Sequence, residues 1–268
     1  MMTMKHTLFA FLILTSCFCS VEAHDTWVEV NTNFIRTGDV VHVMLKLGNH
    51  GNDHRDFKLA GKTETAGATL FVNTATGKSY DLLSGLVDEG YTPKEGYWSA
   101  RFVTGEPGLH MIAHSSDKIV SYAPKRSIKS AKTFFVVTPS LDNPPRDNPG
   151  FDKVLGHALE LTPLQNPVTP MGPGQQISFR LDFHGKPLAA ARVSFIPRGV
   201  TLSEDFDPKY EQRTNAEGVV SFEPHDGNVY LVVAHHEDPH AAGEEYTSTK
   251  YSAAITLFVP EICPCCGQ

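Results

Sequence analysis

The sequence predicts an all-β protein made of two tandem β-sandwich domains. Glycine and proline are frequent, at 21 and 18 of 268 residues, which indicates many turns, and helical periodicity is scarce. Short stretches of alternating hydrophobicity recur along the chain instead, and Gly, Pro, Asn and Asp separate them. Short alternating segments between turn residues are typical of the strands in a β-sandwich.

Residues 1–23 have the features of a secretory signal peptide. Lys5 makes the start positive, and residues 8–14 (LFAFLIL) form an apolar run that is too short for a permanent membrane span. Val21-Glu22-Ala23 fits the small-residue pattern that precedes a cleavage site. Cleavage after Ala23 would make His24 the first residue of the mature protein.

The same segment supports an alternative, because Leu14-Thr15-Ser16-Cys17 resembles a bacterial lipoprotein box. In that case Cys17 would carry the lipid and become the first residue, and His24 would be internal. Either route predicts a periplasmic or secreted protein, with a lipid anchor at Cys17 in the second case. No other segment is long and apolar enough to span a membrane, so an integral membrane protein is not predicted.

The first predicted domain covers residues 24–138. Val41, Val43, Leu45 and Leu47 occupy every second position, which predicts a strand with one apolar face. Residues 139–156 form a linker, because four prolines within residues 139–150 exclude a regular element. Further strands of this domain are predicted at Ala68–Asn73, Gly96–Phe102, His110–His114 and Thr133–Thr138.

The second predicted domain covers residues 157–260. The segments "GQQISFRLDF" and "ARVSFIPRG" predict two strands joined at His184-Gly185-Lys186-Pro187. Turn signals at residues 215–218 and 226–228 indicate at least two further strands, and "KYSAAITLFVP" closes the domain. Residues 261–268 form a cysteine-rich tail outside both domains.

Charge and cysteine content argue against several classes of protein. A formal net charge of −7 without a basic tract argues against a nucleic-acid partner. Cys17 and Cys19 lie in the signal, and Cys263, Cys265 and Cys266 lie in the last six residues, so no disulfide framework staples the core. These clustered thiols suit Cu⁺ or Zn²⁺ as a weaker candidate site, or form a disulfide in an oxidising compartment.

An N-terminal His24 would offer two nitrogen donors to one metal ion. Its amine and its ring Nδ1 close a six-membered chelate, and the amine, with a reference pKa of about 8, loses its proton readily to a metal. Such donors suit Ni²⁺, Cu²⁺ and Zn²⁺, with copper intrinsically favoured. Position three of the mature chain would be Thr26 rather than histidine, so His24 needs ligands from elsewhere in the chain.

Four other histidines are candidate ligands for the same ion. Two lie in the loop "GNHGNDHRD", where glycine and asparagine allow donors to converge, and two end an apolar strand. Because neighbours in a strand face opposite ways, only one of the second two can join a given site. The four candidates are His50, His54, His235 and His236.

Several motifs resemble a family of exported bacterial proteins. They are "AHDTWVEV" at the predicted mature start, "GDVVHVMLKLGNH" in the first domain, and "GKPLAAARVSFIPRG", "RTNAEGVVSFEP", "VYLVVAHHE" and "YSAAITLFV" in the second. The family is labelled a domain of unknown function, or the periplasmic component of nickel/cobalt uptake systems. The resemblance implies a β-sandwich first domain and a second domain of transthyretin-like or carboxypeptidase-regulatory-like type.

The resemblance also implies a mature N-terminal histidine close to further histidines. By position these are His24, His50 and His235. In the family a histidine usually follows the "LKLG" strand directly, whereas Asn49 intervenes here, so His54 is an alternative to His50.

The leading hypothesis is an exported protein that captures a transition metal ion and passes it to a membrane metal permease. The resemblance implies nickel or cobalt, and the donor types leave copper open. One alternative is a copper-dependent oxidoreductase in which His24 and a second histidine form a brace, and another is a non-catalytic adhesion or carbohydrate-binding sandwich. No catalytic residue is predicted, since hydrolase, phosphate-binding and dinucleotide motifs do not occur in the sequence.

Overall fold

The computed structural model describes residues 24–50, 67–90, 92, 95–120, 123–142, 144–203 and 205–261. These residues form strands through most of their length, which confirms the predicted all-β fold. A single-turn 3₁₀ helix at Leu83–Gly85 interrupts the strands. No helix in the described ranges is long and apolar enough to cross a membrane.

The strands fall on both sides of the proline-rich linker. Those before it are β1 (Asp25–Val30), β2 (Phe34–Arg36), β3 (Val40–Gly48), β4 (Ala68–Asn73), β5 (Ser79–Asp81), β6 (Val87–Gly90), β7 (Gly96–Val103), β8 (Gly108–Ile119) and β9 (Lys125–Thr138). Those after it are β10 (Leu159–Pro163), β11 (Ile177–Phe183), β12 (Lys186–Pro187), β13 (Arg192–Pro197), β14 (Glu211–Arg213), β15 (Val219–Phe222), β16 (Asn228–Asp238) and β17 (Ser248–Val259).

The strands assemble into three sheets. The central sheet has nine strands in the order β14-β13-β16-β17-β9-β8-β4-β5, with β2 also pairing with β9. The N-terminal sheet has four strands in the order β1-β3-β7-β6. The C-terminal sheet contains β10, β11 and β12 in that order, with β15 pairing with β11.

Hydrophobic cores lie on both faces of the central sheet. The N-terminal sheet packs on one face, where Trp27 and Leu231 are fully buried. The C-terminal sheet packs on the other face, where Phe179 and Val232 are fully buried. Because Leu231 and Val232 are neighbours in β16, this strand is apolar on both sides, and its continuous hydrophobic run follows from that double burial.

A parallel pairing of β9 with β17 joins the two halves of the chain in one sheet. Ile128 lies opposite Tyr251, and Lys129 lies opposite Ser252. Strands from both sides of the linker therefore share the central sheet, and each half of the chain also forms one sheet of its own. Local sequence patterns carry no signal for such a pairing, because the two strands are far apart in the chain.

Candidate functional site

The first residue of β1 contacts a histidine at the far end of the chain. β1 pairs with β3 along its whole length, which sets Asp25 opposite Gly48 at the edge of the N-terminal sheet. The Oδ1 of Asp25 lies 2.7 Å from the Nε2 of His235 on β16, although the two residues are 210 positions apart. The residue next to His24 is thereby tied to one of the predicted histidine ligands.

This carboxylate orients the imidazole of His235. The side chain of His235 is 50% exposed and that of Asp25 is 13% exposed, so solvent reaches the ring while its partner is largely covered. The carboxylate of Asp25 raises the pKa of His235 above its ordinary value. Since Asp25 occupies Nε2, the ring nitrogen that remains for a ligand is Nδ1. Metal-binding histidines in proteins are commonly held by a carboxylate in this way.

Lys129 anchors the backbone of the same segment. Its Nζ donates to the carbonyl oxygen of His24 at 2.7 Å and to the Oγ1 of Thr26 at 3.3 Å. Burial lowers the pKa of Lys129 to about 8. Sequence reasoning missed Lys129, because it lies in the polar first half of β9, where no predicted strand or motif points to it.

His50 belongs to a different, buried network. Its Nδ1 donates to the carbonyl oxygen of Ile196 at 3.1 Å, and its ring meets Trp27 edge-on with centroids 5.4 Å apart. The residue is 5% exposed, and burial lowers its pKa to about 4, which keeps the imidazole neutral. His50 contacts Ile196 and Trp27, whereas His235 contacts Asp25. The role of His50 as a metal ligand stays a prediction.

Glu29 is the centre of the network around His50. Its carboxylate accepts from the Nε1 of Trp27 at 2.7 Å and from the Nζ of Lys46 at 3.0 Å. Arg198, which follows β13 in the second half of the chain, also donates to it. Glu29 is 5% exposed. The network holds the N-terminal sheet against the second half of the chain.

His236 faces the other side of the central sheet, as its position beside His235 predicts. Its ring packs on Phe183 with centroids 4.4 Å apart and lies 6.3 Å from the ring of Tyr251. Those neighbours belong to or border the core beneath the C-terminal sheet. His236 therefore cannot bind an ion together with His235 in this fold.

The remaining candidates, His54, Cys263, Cys265 and Cys266, lie outside the described residues. Their roles as ligands stay predictions.

A sequence profile for a domain of unknown function, DUF4198, matches residues 21–238. The chain belongs to the DUF4198 family. The matched range contains β1 through β16 and therefore includes both His24 and His235. A comparison with curated protein sequences finds no significant match.

Several solved structures show distant likeness to this DUF4198 protein. A DUF4785 family protein from Legionella pneumophila has 11% identity and a TM-score of 0.29, over 77% of this chain and 51% of that chain. The Yersinia pseudotuberculosis adhesin InvE has 14% identity and a TM-score of 0.23, over 87% and 58%. A Salmonella alpha-2-macroglobulin has 12% identity and a TM-score of 0.26, over 87% and 15%. The chain thus spans about half the length of the first two, and likeness at this level carries no argument about function.

At the start of β1 the DUF4198 chain brings the carboxylate of Asp25 and the imidazole of His235 together, without a complete metal cluster among the described residues. Among the described residues, no three His, Cys, Asp or Glu side chains come together as a metal site. The structure therefore does not bring the imidazole of His24 together with Asp25 and His235 as a metal site among the described residues, and its role as a ligand stays a prediction. Nitrogen donors of the kind that His24 and His235 carry suit a late first-row transition ion.

Proposed function

We propose that this DUF4198 protein is an exported transition-metal-binding protein that captures its ion at the start of β1. The observation that carries the proposal is the contact between Asp25 and His235, since it brings an oriented imidazole to the residue next to His24. The proposed ligands are the amine and Nδ1 of His24 and the Nδ1 of His235. Asp25 holds the second imidazole in place.

Export and processing supply the third donor. An amide nitrogen inside a chain carries its proton at neutral pH and binds metal poorly, whereas a free amine with a pKa of about 8 releases its proton to a metal at little expense. The predicted cleavage after Ala23 creates that amine on the residue that also carries the imidazole. The site would therefore form only in the processed protein, after export.

The identity of the ion rests on the sequence resemblance. The motifs shared with exported proteins of nickel/cobalt uptake systems favour Ni²⁺ or Co²⁺ as cargo and a membrane metal permease as the partner that receives it. Nitrogen donors bind Cu²⁺ more tightly than either ion, so affinity measured in vitro will rank copper first whatever the cargo in the cell.

The decisive experiment compares two forms of the protein by calorimetric titration with Ni²⁺, Co²⁺ and Cu²⁺. One form begins at His24, and the other carries the four residues Ser-Gly-Ser-Gly before it, with both N-termini verified by mass spectrometry. We expect the extension to weaken binding at least tenfold, or about 1.4 kcal/mol, because it converts the amine of His24 into an amide and places the new amine far from the imidazole. The same four residues added after Gln268 are the matched control and should leave affinity unchanged.

Four results would contradict the proposal. Equal affinity of the two forms would remove the terminal chelate, and an exported protein that begins at a lipid-modified Cys17 would do the same. Turnover of the copper-loaded protein with a reductant and oxygen would establish the oxidoreductase alternative. Absence of binding by all three ions would favour the adhesion or carbohydrate-binding alternative.

A further inference from the structure

We propose that Lys129 is a positioning residue that orders His24, the first residue of the mature chain, for metal capture. This inference rests on the proposed function, because it concerns the chain that begins at His24. Lys129 itself binds no metal in this proposal. It acts on the backbone of the residue that does.

Two contacts from the central sheet hold successive residues of this segment. The ammonium of Lys129 holds the carbonyl oxygen of His24 at 2.7 Å, and His235 holds the side chain of Asp25 at 2.7 Å. The ammonium also reaches the Oγ1 of Thr26 at 3.3 Å. The first residues of most chains are poorly ordered unless such contacts tie them down.

The register of the central sheet explains why both contacts reach the same segment. His235 pairs with Ser252, and Ser252 pairs with Lys129, so the three residues lie in one row across β16, β17 and β9. Residues in such a row point to the same face of the sheet. Two strand spacings separate Lys129 from His235, which is about 10 Å between their backbones. The start of β1 crosses this gap and is fixed at both sides of it.

Ordering the segment in advance raises the affinity of the site for a metal. A ligand that binds a mobile terminus must also restrict its backbone, and restricting one residue corresponds to roughly tenfold in a binding constant. Because Lys129 fixes His24 before the ion arrives, binding no longer has to restrict that residue, and the affinity is higher. Loss of the anchor should therefore weaken binding about tenfold, without any change in the metal ligands.

Three variants of the processed protein and one control test this role. Lys129→Met keeps the apolar stem but removes every donor, Lys129→Gln is too short to reach His24, and Lys129→Arg retains a cationic donor. Lys250→Met is the control, because its ammonium lies 3.8 Å from Glu237 on the surface of the same sheet. Thermal unfolding establishes that each variant is folded.

The first measurement uses metal-free protein, and its result does not depend on the proposed metal function. We expect the ¹³Cα order parameter of His24, which precedes the paired residues of β1, to be near 0.85 in the unaltered protein and below 0.6 in Lys129→Met and Lys129→Gln. Lys129→Arg should restore this order parameter, and Lys250→Met should not change it. Order parameters that stay high without Lys129 would overturn the proposal, whether or not the protein binds metal.

The second measurement is Cu²⁺ titration with electron paramagnetic resonance of the loaded protein. We expect about tenfold weaker binding and a broadened or mixed copper signal in Lys129→Met, with recovery in Lys129→Arg. Lost order with unchanged affinity and an unchanged signal would overturn the positioning role. An unaltered protein that binds no copper would refute the proposed function, while the order parameters would still decide whether Lys129 anchors the N-terminus.

Discussion

Lys132 on β9 and Glu160 on β10 form a buried ion pair between the two halves of the chain. Their side chains are 3% and 2% exposed. The carboxylate of Glu160 also accepts from the three consecutive backbone N–H groups of residues 155–157, at 2.7 to 3.0 Å. Burial alone would raise the pKa of Glu160, but the ammonium and the N–H donors outweigh it and the pKa lies below its ordinary value. The pair therefore fixes the end of the linker to the central sheet.

Removal of the cation from this pair should be strongly destabilising. We expect Lys132→Met to lower the free energy of unfolding by about 3–5 kcal/mol, because it leaves a buried carboxylate without its counter-charge. Urea denaturation measures the change. The control is Lys125→Met, since the pair of Lys125 with Glu237 is 37% and 42% exposed and should contribute at most about 1 kcal/mol. If Lys132→Met and Lys125→Met lower the free energy of unfolding equally, the buried pair stabilises the fold no more than a surface pair does.

The buried carboxylate of Glu29 should stabilise the fold more than the exposed guanidinium of its partner Arg198 does. We expect Glu29→Gln to lower the free energy of unfolding by about 2–3 kcal/mol, since hydrogen bonds to a charged group are the strong ones. Arg198→Gln should cost about 1 kcal/mol or less, because the side chain of Arg198 is 45% exposed. Denaturant unfolding of both variants measures the difference. If the order of the two losses is reversed, the contact with Arg198 carries the stability and the buried donors Trp27 and Lys46 do not.

His114 should make the stability of the protein depend on pH. It is 1% exposed, its Nδ1 donates to the carbonyl oxygen of Thr69 at 2.7 Å, and burial lowers its pKa to about 4. The unfolded chain, with a histidine pKa of about 6.5, binds this proton more readily than the folded one. The contribution of His114 is thus fully present above pH 6.5 and is lost as the pH falls from about 6.5 to about 4.

The substitution His114→Gln isolates this contribution. It keeps a donor for the carbonyl oxygen of Thr69 but does not titrate, so the fall in unfolding free energy between pH 6.5 and pH 4 should be smaller than in the unaltered protein by about 3 kcal/mol. Urea midpoints from pH 4 to pH 8 provide the measurement. His42→Gln, at an exposed position on β3, is the control and should follow the unaltered curve. If the urea midpoint changes with pH in the same way in all three proteins, the prediction is refuted.

Asp25→Asn should weaken both the orientation of His235 and the proposed metal site. Without the carboxylate the pKa of His235 should fall toward its ordinary value, because Asp25 is the main cause of its increase. An NMR titration of metal-free protein measures that change. Ni²⁺ and Cu²⁺ affinity should fall about 10- to 100-fold, as is usual when the carboxylate behind a ligand histidine is removed.

A nearby carboxylate provides the comparison for Asp25. Glu237 lies two residues from His235 on β16 and contacts Lys125 and Ser248. Glu237→Gln should therefore leave both the His235 titration and the metal affinity unchanged. A lowered His235 pKa together with unchanged affinity in Asp25→Asn would show that His235 is paired with Asp25 but is not a metal ligand.

The sequence predicts best the strands and turns whose signal lies within a few consecutive residues. The strand predicted at Ala68–Asn73 has those bounds, and the one predicted from Val41 to Leu47 extends by one residue at each end. The hairpin turn at His184-Gly185 has φ angles of 49° and 73°, a conformation that glycine at its second position favours. In each case the information is local, so a short stretch of sequence contains all of it.

The first half of β9 shows where local patterns fail. Only Thr133–Thr138 was predicted as a strand, whereas β9 begins at Lys125. The missed part contains Lys129 and Lys132, whose charges suggest a solvated segment. Their ammonium groups are instead satisfied by His24, which precedes β1, and by Glu160 on β10. A buried lysine becomes acceptable only when its partners are in place, and those partners come from elsewhere in the fold.

The sequence by itself determined the class of fold, the segment typical of a signal peptide and the set of histidines that could bind metal. Only the tertiary structure decided which of them share a neighbourhood. Asp25 reaches His235, and Lys129 reaches His24, because the edge strand β1 of one sheet lies over another sheet in which β9 pairs in parallel with β17. Pairing between strands that are far apart in the chain depends on the packing of whole sheets, so no local pattern of residues records it.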